Sequence, residues 1–216
     1  MTYRVVGLLM VSGWLASGCA AVSSQLTDAS AGKVTALEGE AVVLRTGASR
    51  VQSLGLDSRV FPRDVVQTRE GSRARISLAD QTVLTLGERS EVEIREFAFS
   101  QRDRVRQMVL KVGFGIIRLA LSLAFPPSGA LSVLTGLASL AFSGTEVIVE
   151  TTATSTAVAS LEGTVRVEAL QAAAPGVVTL KPGEGTDIVA GQPPTAPRTW
   201  GAARLARVKA ATTLAE

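Results

Sequence analysis

The stretch "FPRDVVQTREGSRARISLADQTVLTLGERSEVEI", residues 61–94, alternates apolar and polar residues along most of its length. Period-2 alternation is typical of strands with one face in a core and the other in water. The pattern breaks at Ala79-Asp80 and at Gly87-Glu88, which is the spacing of hairpin turns. The sequence therefore predicts an all-β domain of short strands. The positions predicted to face the core are Ala74, Ile76, Leu78, Thr82, Leu84, Leu86, Val92 and Ile94.

The length allows one good-sized domain or two small ones, and the composition predicts an aliphatic core. Of 216 residues, 46% are hydrophobic and only 4% are aromatic, so Val, Leu, Ile and Ala must fill the interior. The formal net charge of +3 is spread along the chain without a Lys/Arg run. Because nucleic-acid sites concentrate positive charge and aromatic side chains, no nucleic-acid partner is predicted.

Histidine is absent and there is a single cysteine. Catalytic triads that use histidine, histidine-ligated metals, internal disulfides and zinc thiolate clusters are therefore excluded. We predict a protein that is not an enzyme and that has no cofactor and no metal site. A carboxylate-based enzyme acting on envelope glycans stays as a third alternative. Its acids would come from Asp64, Asp80, Glu88, Glu91, Glu93 and Glu96.

Basic residues interleave with these acids, and a mixed-charge sheet face is their simplest explanation. They also offer a way to bind an acidic partner or a lipid phosphate. The basic residues concerned are Arg69, Arg73, Arg75, Arg89 and Arg95.

The N-terminal segment has the layout of an export signal. Arg4 precedes an apolar run from Val5 to Leu15, which is too short to span a bilayer. "LASGC" then resembles a bacterial lipobox, in which a lipid is attached to the cysteine. The prediction is a signal peptide over 1–18, lipid attachment at Cys19 and a flexible tether over 19–31, the alternative being an ordinary signal with Cys19 as a free thiol. By the same resemblance, Ala20 after the cysteine favours an outer-membrane anchor facing the periplasm.

Two distant segments are alike. "VTALEGEAVV", residues 34–43, aligns without a gap on "VASLEGTVRV", residues 158–167, and the shared residues are Val, Leu-Glu-Gly and the final Val. This similarity predicts a repeated strand–turn–strand unit, with chance as the alternative.

Residues 60–94 resemble the hallmark of the FecR domain family. Arg63 and Gln81 stand where that family usually has turn glycines, so the turn at Gln81 is expected to differ in type. "IVETTATSTAVASLEGTVRVEAL" and "VVTLKPGEGTDIV" resemble the second and closing blocks, which extends the resemblance over about 32–190. The residues at matching places in the first block are Asp64, Thr68, Gly71, Ser72, Leu78, Asp80, Leu86 and Ser90.

The resemblance implies an all-β stack of short strands, either solenoid-like or a sandwich, and it transfers no catalytic motif. The best-known members resemble iron-uptake regulators with a cytoplasmic anti-sigma segment. We expect that segment to be lacking here, since the signal peptide opens the sequence. The predicted function is therefore a binding or scaffold module in the bacterial envelope, and the alternative is an accessory in outer-membrane receptor signalling.

An apolar insert, residues 113–145, interrupts the resemblance. From Leu119 to Thr145 it has no charged residue, and Pro126-Pro127 divides it into two apolar pieces. Helical spacing of its leucines predicts a helical hairpin. Three placements stay open: packed in the core, dipping into the membrane, or exposed over Leu119–Phe142 as a docking surface for an envelope protein or a second copy. Beyond it, residues 191–216 predict a Pro-rich linker and a C-terminal helix.

Overall fold

The computed structural model describes residues 30–102, 105–122 and 131–214, and within them it contains fifteen strands and one helix. The first eight strands are β1 (Gly32–Glu38), β2 (Ala41–Leu44), β3 (Gln52–Leu54), β4 (Arg59–Val60), β5 (Val65–Thr68), β6 (Arg73–Leu78), β7 (Val83–Leu86) and β8 (Glu91–Ser100). The others are β9 (Val105–Ala120), β10 (Leu131–Leu134), β11 (Ala138–Thr151), β12 (Ser155–Ala169), β13 (Val177–Leu180), β14 (Glu184–Val189) and β15 (Arg198–Thr199). The helix, α1, is Ala202–Ala211.

The strands form one hydrogen-bonded sheet that folds over into two layers. Layer 1 has the order β3-β2-β5-β8-β9-β10-β11-β12-β13, and layer 2 has the order β4-β1-β6-β7-β9-β11-β12-β14-β15. Strands β9, β11 and β12 belong to both layers. The first half of β9 pairs with β8 and β10, whereas its second half pairs with β7 and β11. The all-β prediction is confirmed, and the architecture is a sandwich.

One continuous core fills the space between the layers. Ile76, Leu86 and Ile117 contribute to it from layer 2, and Ile94 and Leu110 from layer 1, all of them fully buried. The even positions predicted from residues 74–94 are all buried, which confirms the face assignment.

The internal repeat coincides with a crossing between the layers. The chain passes from layer 2 to layer 1 at Gly39, between β1 and β2, and again at Gly163, within β12. Both glycines have positive φ, +72° and +80°, a conformation that glycine adopts without steric cost. A Cβ at Gly39 would also collide with the Ser72 side chain. Each copy of the Leu-Glu-Gly motif thus ends at a glycine of positive φ, where the chain crosses from layer 2 to layer 1.

The predicted helical hairpin over 113–145 is wrong in the described residues, where β9, β10 and β11 are strands. Leu131 and Val133 point into the core, and Ser132 lies between them on the other face. The alternation of buried and outward-facing residues in these strands was not visible in the sequence, because the outward positions carry Ser, Ala or Leu and no charged residue. The turn between β10 and β11 is held by the Thr135 hydroxyl, which accepts hydrogen bonds from the N–H groups of Leu137 and Ala138.

The C-terminal helix is confirmed and packs on the outer face of layer 2. There Trp200 and Val208 cover Ile116, Ile148 and Ala159, forming a second, smaller core. Strands β9 and β11 are therefore covered on both faces, since Ile117 and Val149, beside Ile116 and Ile148, face the main core. Burial on both faces removes the alternation from a strand's sequence.

Residues 1–29 lie outside the described residues, so the predicted signal peptide over 1–18, the lipid attachment at Cys19 and most of the tether over 19–31 remain predictions. Within residues 30–102, 105–122 and 131–214, no helix is long and apolar enough to cross a bilayer.

Gln81 and Arg63, which replace the usual turn glycines, both have left-handed backbone, with φ of 66° and 70°. The turn at Gln81 therefore keeps the positive φ of a glycine turn, and the Cβ of Gln81 adds a steric cost that glycine would not have. Replacing Gln81 with glycine is expected to raise the free energy of unfolding by roughly 0.5–1 kcal/mol, because relief of the αL steric cost of an L-residue, about 1–2 kcal/mol, exceeds the entropy that glycine adds to the unfolded chain. Urea titration measures the change.

Ala79 is the matched control for that substitution, because it is exposed, lies in the same turn and has no positive φ. Ala79→Gly is expected to lower stability by roughly 0.5–1 kcal/mol through the entropy of the unfolded chain. Equal effects of the two glycine substitutions would contradict the assignment of strain to Gln81.

Candidate functional site

The polar residues shared with the FecR hallmark lie inside the fold and hold its crossings together. The Thr68 hydroxyl donates to the carbonyl of Gly87 at 2.6 Å and accepts from the N–H of Ser90 at 3.0 Å. The Ser90 hydroxyl donates to the carbonyl of Ile116 at 3.1 Å and accepts from its N–H at 2.9 Å. These hydroxyls replace strand pairing where β5, β7 and β9 change partners.

Ser72 and Asp64 have the same structural role in neighbouring turns. The Ser72 hydroxyl accepts from the N–H of Glu40 at 2.9 Å, and the Asp64 carboxylate accepts from the N–H of Phe61 at 2.9 Å. Burial raises the pKa of Asp64 above its ordinary value, and the Phe61 N–H and the Arg45 guanidinium oppose that rise. The Asp64 carboxylate is 3.5 Å from Arg45.

Asp80 is completely buried and is paired with Arg106, which is 3% exposed. Arg106 Nε lies 2.9 Å from Asp80 Oδ2, and Arg106 also donates to the carbonyl of Ser122 at 3.2 Å. Thr82 satisfies the carboxylate from the other side through its N–H, at 3.0 Å, and its hydroxyl, at 2.8 Å. This ion pair fastens the β6–β7 turn to both ends of β9.

The acids considered for catalysis do not converge on a shared opening. Asp64 and Asp80 are buried in turns. The other four acids are engaged locally: Glu88 accepts from the N–H of Gly71, Glu91 from Gln67, Glu93 from Arg95 and Glu96 from Gln107. In the described ranges, no cluster of three acidic or cysteine side chains is arranged to hold a metal ion.

Four of the five interleaved arginines have a carboxylate partner. They are Arg69 with Glu40, Arg73 with Glu38, Arg89 with Glu70 and Arg95 with Glu93. Among the residues that the structure describes, Arg75 is without an ion pair or a side-chain hydrogen bond. The five therefore do not form one basic face, and Arg75 differs from the other four.

Arg75 lines an open cleft of about 320 Å³ on the outer face of layer 2. In the register of the sheet, Arg75 on β6 lies opposite Thr85 on β7, and Thr85 lies opposite Arg118 on β9. Thr212 and Thr213, just beyond α1, form the opposite wall. The Arg73 Nε holds that wall in place by donating to the carbonyl of Ala211 at 3.2 Å. This cleft is the candidate functional site.

Ion pairs fix the helix that closes one side of the cleft. Arg207 makes a bidentate pair with Glu150 on β11, at 2.9 and 2.8 Å. Arg204 does the same with Asp187 on β14, at 3.0 and 2.5 Å. Hydrogen bonds from Arg204, and then from Arg198, hold the pKa of Asp187 below its ordinary value.

The segment Leu119–Phe142, predicted as a possible docking surface, does not present one in its described residues. Leu119, Leu131, Val133 and Leu140 are buried in the core, and Phe142 is only partly exposed. Of the three placements, packing in the core is therefore the one the described residues adopt, as strands rather than helices.

Arg118 and Arg106 were not identified from the sequence. Both lie in β9, and Arg118 falls within residues 113–145, which were predicted to be an insert rather than a strand of the domain. Alternation within "VRQMVLKV" was the signal available for β9, and it placed Arg106 on the same face as Met108 and Leu110.

Residues 64–166 match the family model described as FecR protein. Two crystal structures of a candidate anti-sigma factor from Parabacteroides distasonis are similar to this chain, each with 16% identity and a TM-score of 0.51. The alignment covers 66% of this chain but only 62% of the solved chain. No curated protein matches the chain significantly.

At this level of identity the structural likeness establishes a shared fold, whereas the family match rests on the sequence itself. The match begins at Asp64 and ends within β12, and it includes the buried hallmark residues described above. The similarity to the FecR protein family is thus carried by residues 64–166 of this chain.

Proposed function

We propose that the chain is a non-enzymatic binding module of the bacterial envelope, anchored to the outer membrane through a lipid on Cys19 and facing the periplasm. The FecR match over residues 64–166 carries this proposal. Proteins of this family are linked with signalling and regulation, and the solved protein of similar fold is described as a candidate anti-sigma factor. Its action is recognition of another protein.

The polar residues of the domain fall into a buried structural set and an exposed surface set, and this separation supports the proposal. The hallmark side chains Thr68, Ser72, Asp80 and Ser90 hold the two layers together and are buried. Residues that can vary among proteins of the same fold, without disturbing that fold, must lie elsewhere, on the outer faces of the two layers. Recognition then falls to surface positions such as those around Arg75 and Thr213, which a rigid sandwich holds in place.

Lipid attachment at Cys19 is tested by replacing that residue. Cys19→Ala is expected to move the protein from the membrane fraction to the soluble periplasmic fraction and to abolish incorporation of labelled palmitate. The physical reason is that two or more acyl chains anchor a protein stably, whereas the described domain has no helix that spans a bilayer. Unchanged fractionation of the variant would contradict the anchor.

Binding of a protein partner is tested with a photo-reactive residue at single surface positions of the full chain in its native envelope. The positions are Thr213 and Arg75 on the outer face of layer 2, and Arg166 and Gln107 on layer 1. A defined partner is expected to crosslink from one contiguous face and not from the other. If all four positions give the same adducts, or none, the binding module is contradicted.

Receptor signalling is the second function considered, favoured by the description of the structural neighbour as a candidate anti-sigma factor. It predicts that the crosslinked partner is an outer-membrane receptor or a membrane-spanning transducer. A partner that belongs to a static envelope assembly supports a scaffold role instead.

A further inference from the structure

The cleft beside Arg75 brings a free cation, the Thr85 hydroxyl and a small open volume together. Its floor is the row Arg75–Thr85–Arg118 across three neighbouring strands, so Arg75 and Arg118 lie on either side of Thr85, with their Cα atoms roughly 10 Å apart. Thr85 is 4% exposed, and among the described residues no hydrogen bond uses its hydroxyl. The volume of about 320 Å³ is at the lower end of the range for ligand sites.

The charges in the cleft leave one positive charge uncompensated. Arg118 Nε makes a close contact with Glu146 on β11, whose side chain is 20% exposed, so this pair is neutral as a unit. Arg75 has no carboxylate partner in the part of the chain that the structure describes. A guanidinium presents parallel N–H donors whose geometry matches a carboxylate.

We propose that the cleft formed by Arg75, Thr85, Arg118 and Thr213 binds a single carboxylate, supplied by an acidic side chain of the partner protein. This inference rests on the proposed function for the source of the carboxylate, and it names the chemistry that the partner must present. Arg75 binds the carboxylate oxygens, and Thr85 supplies a hydroxyl donor from the floor, whereas the Thr213 hydroxyl donates to the carbonyl of Lys209 at 2.8 Å.

The neighbouring acid selects a carboxylate over a phosphate. A phosphate group carries a charge near −1.5 to −2 at neutral pH, whereas one free arginine supplies one positive charge. Because Glu146 neutralises Arg118, the additional negative charge of a phosphate would have no free cation in the cleft to pair with. A monoanion meets Arg75 without that penalty.

The test is NMR titration of the full chain with acetate, with N-acetylglutamate α-amide and with inorganic phosphate. The arginine Nε–H signal of Arg75 and the amide signals of Thr85 and Thr213 report binding. Both carboxylates are expected to shift these signals saturably up to about 50 mM, with phosphate at least about fivefold weaker. Arg75→Gln is expected to abolish the response of the two threonine amides.

Two further variants make the result specific. Glu146→Gln releases the charge of Arg118 from its ion pair, which gives the cleft a second free cation, and is expected to bring phosphate to the affinity of the carboxylates. Arg166→Gln, which removes an exposed arginine paired with Glu168 on layer 1, is expected to change nothing. The proposal is overturned if no carboxylate gives a saturable shift, if phosphate binds the unmodified chain as tightly, or if acetate binds and the glutamate amide does not.

The carboxylate site in the cleft and the proposed protein-binding function can each be rejected without rejecting the other. Saturable carboxylate binding without any site-specific crosslink would retain the site and reject the protein-binding module. A crosslinked partner without carboxylate binding would retain the module and reject this cleft as its anion site.

Discussion

Replacing Arg106 with alanine is expected to lower the free energy of unfolding by about 3–5 kcal/mol, because it leaves the carboxylate of Asp80 buried without its cation. Asp80 is 0% exposed, and its other partners, the N–H and hydroxyl of Thr82, do not neutralise a full charge. The substitution also removes the hydrogen bond from Arg106 to Ser122. Chemical denaturation at neutral pH measures the loss.

The double variant Arg106→Ala with Asp80→Asn separates charge from packing. Asparagine retains an oxygen that accepts from Thr82 but carries no charge, so part of the loss is expected to return. The matched surface control is Arg95→Ala, whose partner Glu93 is 31% exposed and whose expected cost is below about 1 kcal/mol. An Arg106→Ala loss as small as that of the control would show that the Asp80 carboxylate is solvated.

Replacing Trp200 with alanine is expected to cost about 3–5 kcal/mol and to release the C-terminal helix from layer 2. Trp200 is 3% exposed and lies against Gly185, where a Cβ would collide with the indole. The Arg204 guanidinium stacks over the ring at 3.6 Å from its centroid while binding Asp187. Loss of the ring therefore weakens an ion pair as well as the second core.

Trp200→Phe distinguishes the ring from the indole N–H. The Nε1 atom has no hydrogen-bond partner in the described structure, so phenylalanine gives up no hydrogen bond and is expected to cost less than half as much as alanine. Unfolding midpoints and limited proteolysis within α1 provide the measurements. Rapid cleavage within α1 in the phenylalanine variant would contradict the packing role of the aromatic ring.

Much of layer 2 and of the β5–β8 region was predictable, because its strands have one face in the core and one in water. Ile76, Leu84 and Ile94 alternate with polar residues, and their burial follows from that period alone. The repeated Leu-Glu-Gly also pointed to equivalent turns. Buried roles for Thr68 and Ser90 had no such signal, since a hydroxyl that bonds backbone looks the same in sequence as one on the surface.

The incorrect predictions have one physical cause, which is hydrogen-bond pairing between strands that are distant in the sequence. Helical spacing of Leu131, Leu134 and Ala138 was real in the sequence, but the edges of β9 and β11 supplied hydrogen bonds that override local preference. The cleft depends on the same long-range register. Arg75 and Arg118 become neighbours of Thr85 only when β6, β7 and β9 align, and no local pattern contains that information.

The three strands that run through both layers also determine how the molecule opens. Because β9, β11 and β12 belong to both layers, neither layer can detach without breaking backbone that the other layer uses. The sandwich should therefore exchange its core amide hydrogens in a single cooperative event, with α1 and the strand ends as the sites of local fraying. A bound molecule that stabilises the outer face of layer 2 then slows the opening of layer 1 as well. A partner held at one face would thus lengthen the lifetime of the whole fold.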